Sequence, residues 1–329
     1  MSVLIAILSL AAGVALLVTG SEWLVRGSAH IARLLGMRPF VIGVTVVAFG
    51  TSTPELFASI AFALTGRPEA AVTNVVGSNI ANIGLILGFT ALVRPVPVDR
   101  TIIRRDLPVM IGISAIASLV FLDYRVTRLE GALLVAAIMA YVFMCYRWGL
   151  ADPEAVEHEL GREREHGLDL EKAEKPGRVW VNIALVVLGL LGLSAGGRLV
   201  VMGASSLALS MGVAPEIVSL TMVALGTSLP ELAACLAAAR RNEPEIAMGN
   251  VLGSNVFNLL AVLGGAALAK PLYAPNNIWT HLIVMHALGL VAAALLGPRR
   301  RLGRVGGGML FTAYLAYVIL VYALEKTQG

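Results

Sequence analysis

The chain has 329 residues, is 57% hydrophobic and only 14% charged, and carries a formal charge of +4 with a mean hydropathy of +0.82. Those figures exclude an ordinary soluble domain and suit a membrane protein, in which each span needs ~20 mostly apolar residues. Cys145 and Cys235 both lie in apolar segments, which excludes a disulfide framework and marks them as packing residues facing lipid or another helix.

Apolar runs fall at 3–20, 39–65, 69–93, 106–122 and 128–147. After a polar stretch they resume at 179–197, 215–239, 244–269, 280–297 and 306–324. Ten transmembrane helices are therefore expected. The first run lacks a basic leader and reads as a retained span rather than a cleaved signal peptide. Segments 21–38 and 198–214 are semi-polar and are expected to prolong the first and sixth helices into long tilted ones. Gly27 and Gly203, beside Ser28 and Ala204, suit close helix contacts.

Basic residues predict the orientation. Nineteen of the 25 Lys and Arg fall on alternate connections, around Arg26–Arg38, Arg94–Arg105, Arg147–Arg178, Arg240–Arg241 and Arg299–Arg304. The positive-inside rule makes those connections cytoplasmic and puts both termini outside, in a multi-pass protein of the cell's inner (plasma) membrane. Residues 148–178 carry nine acidic residues among basic ones and read as a cytoplasmic linker, with a short exposed helix expected at 154–164. The acids there lack the alternating ligand pattern and turn glycine of a calcium loop. His158 and His166 read as solvated, and His281 and His286 are not spaced with carboxylates as a zinc site would be.

One stretch occurs twice. Residues 45–82 read TVVAFGTSTPELFASIAFALTGRPEAAVTNVVGSNIAN, and 221–258 read TMVALGTSLPELAACLAAARRNEPEIAMGNVLGSNVFN. They align without a gap at an offset of 176, which also pairs Gly13 with Gly189, Gly36 with Gly212 and Gly88 with Gly264. The division is thus 1–147 (first repeat), 148–178 (linker) and 179–329 (second repeat). Five spans per half is an odd number, so the second half enters the membrane inverted, the plan of many secondary transporters.

The duplicated stretch has the chemistry of a cation site. Pro54 cannot donate to the Gly50 carbonyl, so a kink is expected near 50–53, and the same at Pro230 and Gly226. Carbonyls freed at that depth must face protein, water or an ion. Thr51 and Ser52 lie four and three residues before Glu55, and Thr227 and Ser228 precede Glu231 in the same way, so each pair of hydroxyls can share a face with its carboxylate. A charge at the centre of a span costs roughly 2.5–3.5 kcal/mol, and neither duplicated segment contains a basic residue beside its glutamate to offset it. Ser78 and Asn82, with Ser254 and Asn258, put further oxygens on one face each, continued by Asn74 and Asn250. An all-oxygen donor set suits Ca2+ or Na+ rather than zinc or copper, and Mg2+ less well because it dehydrates reluctantly. Small polar residues also serve helix packing, and that reading is taken for Ser59, Thr65, Thr73 and most glycines. Two glutamates at matched positions, each just after a proline, are not accounted for by packing.

GTSTPE with GSNIAN, and GTSLPE with GSNVFN, resemble the paired alpha repeats of the cation/Ca2+ exchanger superfamily, most closely those of prokaryotic sodium/calcium exchangers. The proton/calcium branch usually shows GN-x-PE where this chain has Gly50-Thr51-Ser52 and Gly226-Thr227-Ser228. The resemblance implies an all-α integral membrane fold of ten helices in two inverted five-helix repeats, broken at the centre, with the first and sixth helices sliding as a gate. It implies Glu55 and Glu231 as shared ligands of Ca2+ and Na+, the main chain of Thr51 and Thr227, and the hydroxyls of Ser52, Ser78, Ser228 and Ser254. Carbonyls of Ala48 and Ala224 and the side chain of Asn82 complete the set. Asn258 departs from the pattern, because sodium/calcium exchangers commonly carry Asp there; the chain keeps an amide at that ligand position. The expected activity is antiport of Ca2+ against Na+. Buried carboxylates can also carry protons, so Ca2+/H+ antiport is the alternative, and a passive cation channel is a rival of another class. No cofactor, nucleic acid or enzymatic nucleophile–His pair is implied; the partners are the bilayer and the ions.

Overall fold

The computed structural model describes residues 2–150, 178–213, 215–297 and 300–328, except for the side chains of 149–150, 178, 215–225, 322 and 324–328. Most of the 148–178 linker, with His158, His166 and the helix expected at 154–164, lies outside the described residues.

The first half forms α1 (Val3–Leu34), α2 (Pro39–Ile42), a π-helical stretch (Gly43–Val47), α3 (Ala48–Thr51), α4 (Thr53–Leu64) and α5 (Pro68–Ala81). It continues through a second π turn (Asn82–Leu87), α6 (Gly88–Val93), a third (Ile102–Asp106), α7 (Leu107–Ser118) and α8 (Arg128–Leu150). The second half forms α9 (Arg178–Ser210), α10 (Pro215–Arg240), α11 (Pro244–Phe257), a π turn (Asn258–Val262), α12 (Leu263–Ala269), α13 (Ile278–Leu296) and α14 (Arg304–Gln328). The prolongation expected of the first and sixth helices is present, at 32 and 33 residues. Among the described residues, seven helices are long and apolar enough to cross a membrane, or eight if the bent pair Pro39–Thr51 and Thr53–Leu64 counts as one span. One expected run falls short of that test: the 12 residues of α7 follow a turn carrying Arg104, Arg105 and Asp106. The expected run 215–239 forms the helix α10, part of whose side chains lie outside the described residues.

Four two-residue strands, β1 (Val96–Pro97), β2 (Arg125–Val126), β3 (Leu272–Tyr273) and β4 (Arg301–Leu302), were not expected from the sequence. They are connections that run extended side by side, β1 with β4 and β2 with β3. Val96 pairs with Leu302 and Leu272 with Val126; at the 176 offset Val96 is the sister of Leu272 and Val126 of Leu302, so each strand pair is the sister of the other. The left-handed turn residues obey the same rule: Gly36 and Gly212, Gly66 and Asn242, Tyr124 and Arg300. Asn242 stands where the first half has glycine because asparagine tolerates that conformation best among residues with a side chain.

The chain packs as two compact units, each drawing on both halves of the sequence. One comprises Met1–Thr51 and Met139–Asn250, the other Ser52–Ile138 and Val251–Gly329. The first is built on α1 against α9. A Cβ on Gly13 would lie 2.8 Å from the Gly196 carbonyl oxygen, one on Gly20 2.9 Å from that of Gly189, and one on Gly203 2.7 Å from that of Ala6. Rising numbers on one helix meet falling numbers on the other, so α1 and α9 run antiparallel with their backbones in contact. Lipid tails are as apolar as leucine, so such contacts rest on close van der Waals fit. Gly189→Leu is therefore expected to abolish monodisperse protein in detergent, whereas Gly112→Ala, which meets nothing within 4 Å, should leave the elution profile and melting temperature unchanged.

In the same unit the turn after α1 is clamped to the turn before α11. Arg33 pairs with Glu243 at 2.5 Å, and Arg38, 2% exposed, with Glu245 at 2.7 Å. At the 176 offset these four positions hold Leu209, Ala214, Arg67 and Glu69, so the duplication does not repeat the clamp. In the second unit the glycine contacts recur as a related pair: Gly88 against Gly307, and Gly264 against Gly131, each with a carbonyl about 2.6–3.0 Å from the Cβ position. Cys145 and Cys235 are both buried, hence helix-facing.

Candidate functional site

The first duplicated segment breaks where expected. α3 and α4 meet at a bend of 42° around Ser52, and Pro54 opens α4 in the first turn, where its missing N–H costs nothing. The Leu56 amide reaches back to the Ser52 carbonyl at 3.2 Å. The Thr51 hydroxyl lies 3.0 Å from the Val47 carbonyl and 3.4 Å from that of Ala48. Glu55, in the same first turn, is 1% exposed.

The second segment differs from the expectation. α10 runs from Pro215 to Arg240 with Pro230 inside it and no break. Packing accounts for this. Gly197 of α9 lies against the same turn, with its Cβ position 3.3 Å from the Gly226 carbonyl and 3.7 Å from the Pro230 ring. The carbonyl that Pro230 leaves without its helical donor is thus covered by a neighbouring backbone, and the helix continues through the proline. Ala224 lies in α10, and its side chain is outside the described residues.

Two further irregularities were not legible in the sequence. The π turns Asn82–Leu87 and Asn258–Val262 begin at sister asparagines that are candidate ligands. Single π turns inside α-helices concentrate at functional sites because the extra residue leaves backbone groups without regular partners.

In the second unit α4, bearing Glu55, packs on α5, α12 and the π turn that begins at Asn258. α5 carries Ser78 and leads into Asn82. First-half Glu55 is thereby placed on helices that carry second-half groups. Ser52, Ser78, Asn82, Ser254 and Asn258 are all buried in this unit, between 0% and 6% exposed. In the first unit the backbones around Gly43 and Gly249 lie close: a Cβ on Gly43 would lie 2.9 Å from the Ile246 carbonyl oxygen, and one on Gly249 2.6 Å from that of Phe40. That approach brings the Thr51 hydroxyl 3.0 Å from Asn250 Oδ1. Asn250 Nδ2 in turn lies 3.4 Å from the Glu231 carbonyl and 3.3 Å from Cys235 Sγ. Ala48 at 0%, Ser228 at 3% and Glu231 at 2% are buried in this unit, and Thr227 is half-buried.

Several motif atoms are buried without a hydrogen-bond partner: Ser228 Oγ, Ser254 Oγ, Asn82 Nδ2, and both amide atoms of Asn258. Buried polar atoms are nearly always satisfied, so a group of exceptions calls for a water or an ion as the missing partner. Residues given a packing role behave otherwise. Thr65 and Thr73 bond carbonyls of their own helices, at 2.7 and 2.9 Å. Ser59 is the exception among them, since it accepts from Asn74 Nδ2 at 3.0 Å. His281 bonds Tyr317 at 2.8 Å and His286 the Leu282 carbonyl at 2.6 Å.

The model of the sodium/calcium exchanger protein family matches twice, over residues 5–147 and 181–323. The chain belongs to the sodium/calcium exchanger family. The two matches start and end 176 residues apart, the offset of the duplication. The sodium/calcium exchanger MaX1 of Methanosarcina acetivorans is 32% identical, covering 94% of this chain and 96% of its own length. The inner membrane protein YrbG of Escherichia coli is 34% identical over 98% of both chains. Among solved structures, the sodium-calcium exchanger NCX_Mj soaked with zero Na+ and Ca2+ matches with a TM-score of 0.83 and 30% identity, over 97% of this chain and 100% of that one. The exchanger fold is thus an all-helical membrane fold.

Proposed function

We propose that this chain is a secondary cation antiporter that exchanges Ca2+ for Na+ across the cell's inner membrane by alternating access. The observation that carries the reading is the pair of sister motifs. Each buries one glutamate among serine hydroxyls and asparagine amides, and several of those polar atoms have no protein partner. Such oxygens are the ligands of hard cations. Among the described residues no three of His, Cys, Asp and Glu come together, so hydroxyl, amide and carbonyl oxygens supply most of the set.

The proposed ligands are Glu55 and Glu231, the hydroxyls of Ser52, Ser78, Ser228 and Ser254, the main chain at Thr51, Thr227, Ala48 and Ala224, and the side chains of Asn82 and Asn258. A ten-span architecture of two inverted five-helix repeats is supported by the antiparallel course of α1 and α9 and by strand registers and left-handed turns related through the 176 offset. The domain division 1–147, 148–178 and 179–329 belongs to the same reading, with α1 and α9 as the moving gate.

The direct test is Ca2+ uptake into everted membrane vesicles. Vesicles loaded with Na+ and diluted into Na+-free medium are expected to accumulate Ca2+, and K+-loaded vesicles are not. Accumulation driven by a pH gradient alone would replace Na+ with H+, and Ca2+ leak without any counter-ion would indicate a channel. The orientation has its own test. A cysteine introduced by Ala155→Cys, in a background with Cys145 and Cys235 replaced, should resist a membrane-impermeant thiol reagent in intact cells and react after lysis. Labelling in intact cells would reverse the topology.

A further inference from the structure

Within the first unit one amide joins the two motifs. Asn250, 1% exposed, reaches Thr51 of the first motif and the Glu231–Cys235 turn of the second. Its orientation follows from donor chemistry. The Glu231 carbonyl can only accept, so the NH2 end of the amide faces α10 and Oδ1 faces Thr51. Thr51 has one hydroxyl proton and three acceptors in reach, Val47 and Ala48 carbonyls and Asn250 Oδ1. When the proton goes to Asn250, the Ala48 carbonyl is not occupied by that hydroxyl and keeps its lone pairs for a cation.

The arrangement has a sister. Asn74 and Ser59 stand 176 residues before Asn250 and Cys235, and the same amide nitrogen bonds the same position, Ser59 Oγ at 3.0 Å and Cys235 Sγ at 3.3 Å. Cys235 is thus the sulfur version of a hydroxyl anchor, one turn beyond Glu231. Its thiol is 3.7 Å from the Ala247 carbonyl, which points its own hydrogen away from the amide it accepts from.

We infer that Asn250 is a positioning residue for ion binding and that Cys235 anchors its amide, so that Thr51 at the helix break and the turn bearing Glu231 are held in one register. The inference rests on the ligand set proposed above. Neither residue touches the ion in that set; both act through Thr51, Ala48 and Glu231.

The experiment measures Ca2+-dependent uptake in proteoliposomes and Ca2+ binding to the purified full-length protein for four variants. Asn250→Leu keeps volume and removes every hydrogen bond. Its half-saturating Ca2+ concentration is expected to rise about tenfold, the order of one lost buried hydrogen-bond network, with the maximal rate per folded molecule changing far less. Cys235→Val keeps shape without an acceptor and should weaken Ca2+ about threefold, in proportion to a weak sulfur acceptor. Cys235→Ser, which installs the residue of the sister position, should restore wild-type half-saturation. Glu231→Gln is the reference arm. If it loses Ca2+ binding while Asn250→Leu and Cys235→Val retain wild-type half-saturation, the positioning role is refuted and the ligand set stands. If Glu231→Gln itself binds Ca2+ normally, the ligand set fails and the positioning role falls with it. Should Asn250→Leu not fold, the two Cys235 variants decide: equal effects of Val and Ser overturn the inference, and rescue by Ser alone supports it.

Discussion

Glu55→Gln and Glu231→Gln are each expected to reduce Ca2+ affinity by two or more orders of magnitude while leaving a folded, monodisperse protein. Gln nearly keeps the shape of Glu and removes its charge, so packing around these side chains, 1% and 2% exposed, is preserved. Removing one partner of a buried charge interaction costs about 2–5 kcal/mol, and each 1.4 kcal/mol is about tenfold in affinity. Uptake by proteoliposomes should fall to the level of empty liposomes at micromolar Ca2+, with the melting temperature in detergent within a few degrees of wild type. Because the two sites are sisters, the two variants should resemble each other more than either resembles a double variant. Wild-type uptake by both single variants would remove the glutamates from the site.

Asn258→Asp is expected to strengthen Na+ competition against Ca2+. Asn258 is 1% exposed with neither amide atom hydrogen-bonded, so a new carboxylate there would have no protein donor to satisfy it and would turn to the ions. In the proposed ligand set the two glutamates would balance one Ca2+ between them, whereas more than two Na+ would leave the set with net positive charge. A third carboxylate corrects that deficit. The Na+ concentration that halves Ca2+ flux is expected to fall on the order of tenfold, about 1.4 kcal/mol. Like charges at close quarters resist ionising together, so flux in the variant should also vary with pH between 6 and 8 more steeply than in wild type. Asn82→Asp, at the sister position, should act in the same direction. Unchanged Na+ and pH curves for Asn258→Asp would mean that residue 258 does not face the ions.

The break at Ser52 and the burial of Glu55 and Glu231 follow from features of the sequence that are local or repeated. Pro54 names the carbonyl it deprives by position alone, and the break at Ser52 follows. A glutamate in a run of apolar residues is conspicuous for its energetic cost, and a second at the same offset removes coincidence. The long first and sixth helices were readable from the semi-polar segments beyond each apolar run. Pro230 shows the limit of such reasoning. The same local rule marked Pro230, yet α10 continues through it without a break, and the Gly197 backbone that covers the Gly226 carbonyl comes from a helix about thirty residues away in sequence.

The sequence by itself determined that this is a duplicated membrane protein with two buried carboxylates in oxygen-rich motifs, and it did so through periodicity, composition and an offset of 176. It also supplied the asparagines and the cysteine, but not their partners. Only the tertiary structure decided that Asn250 bridges Thr51 to the Glu231 turn, that Cys235 is an anchor rather than filler, and that π turns begin at Asn82 and Asn258. It also decided that an ion-pair clamp joins Arg33 and Arg38 to Glu243 and Glu245 at positions the duplication does not repeat. The Thr51–Asn250 bond and the clamp join groups some 200 residues apart. The Asn250 contacts with Glu231 and Cys235 join two neighbouring helices 15 to 19 residues apart, and the π turns are helix distortions. A hydrogen bond of 3 Å has no signature in a sequence until the fold brings donor and acceptor together.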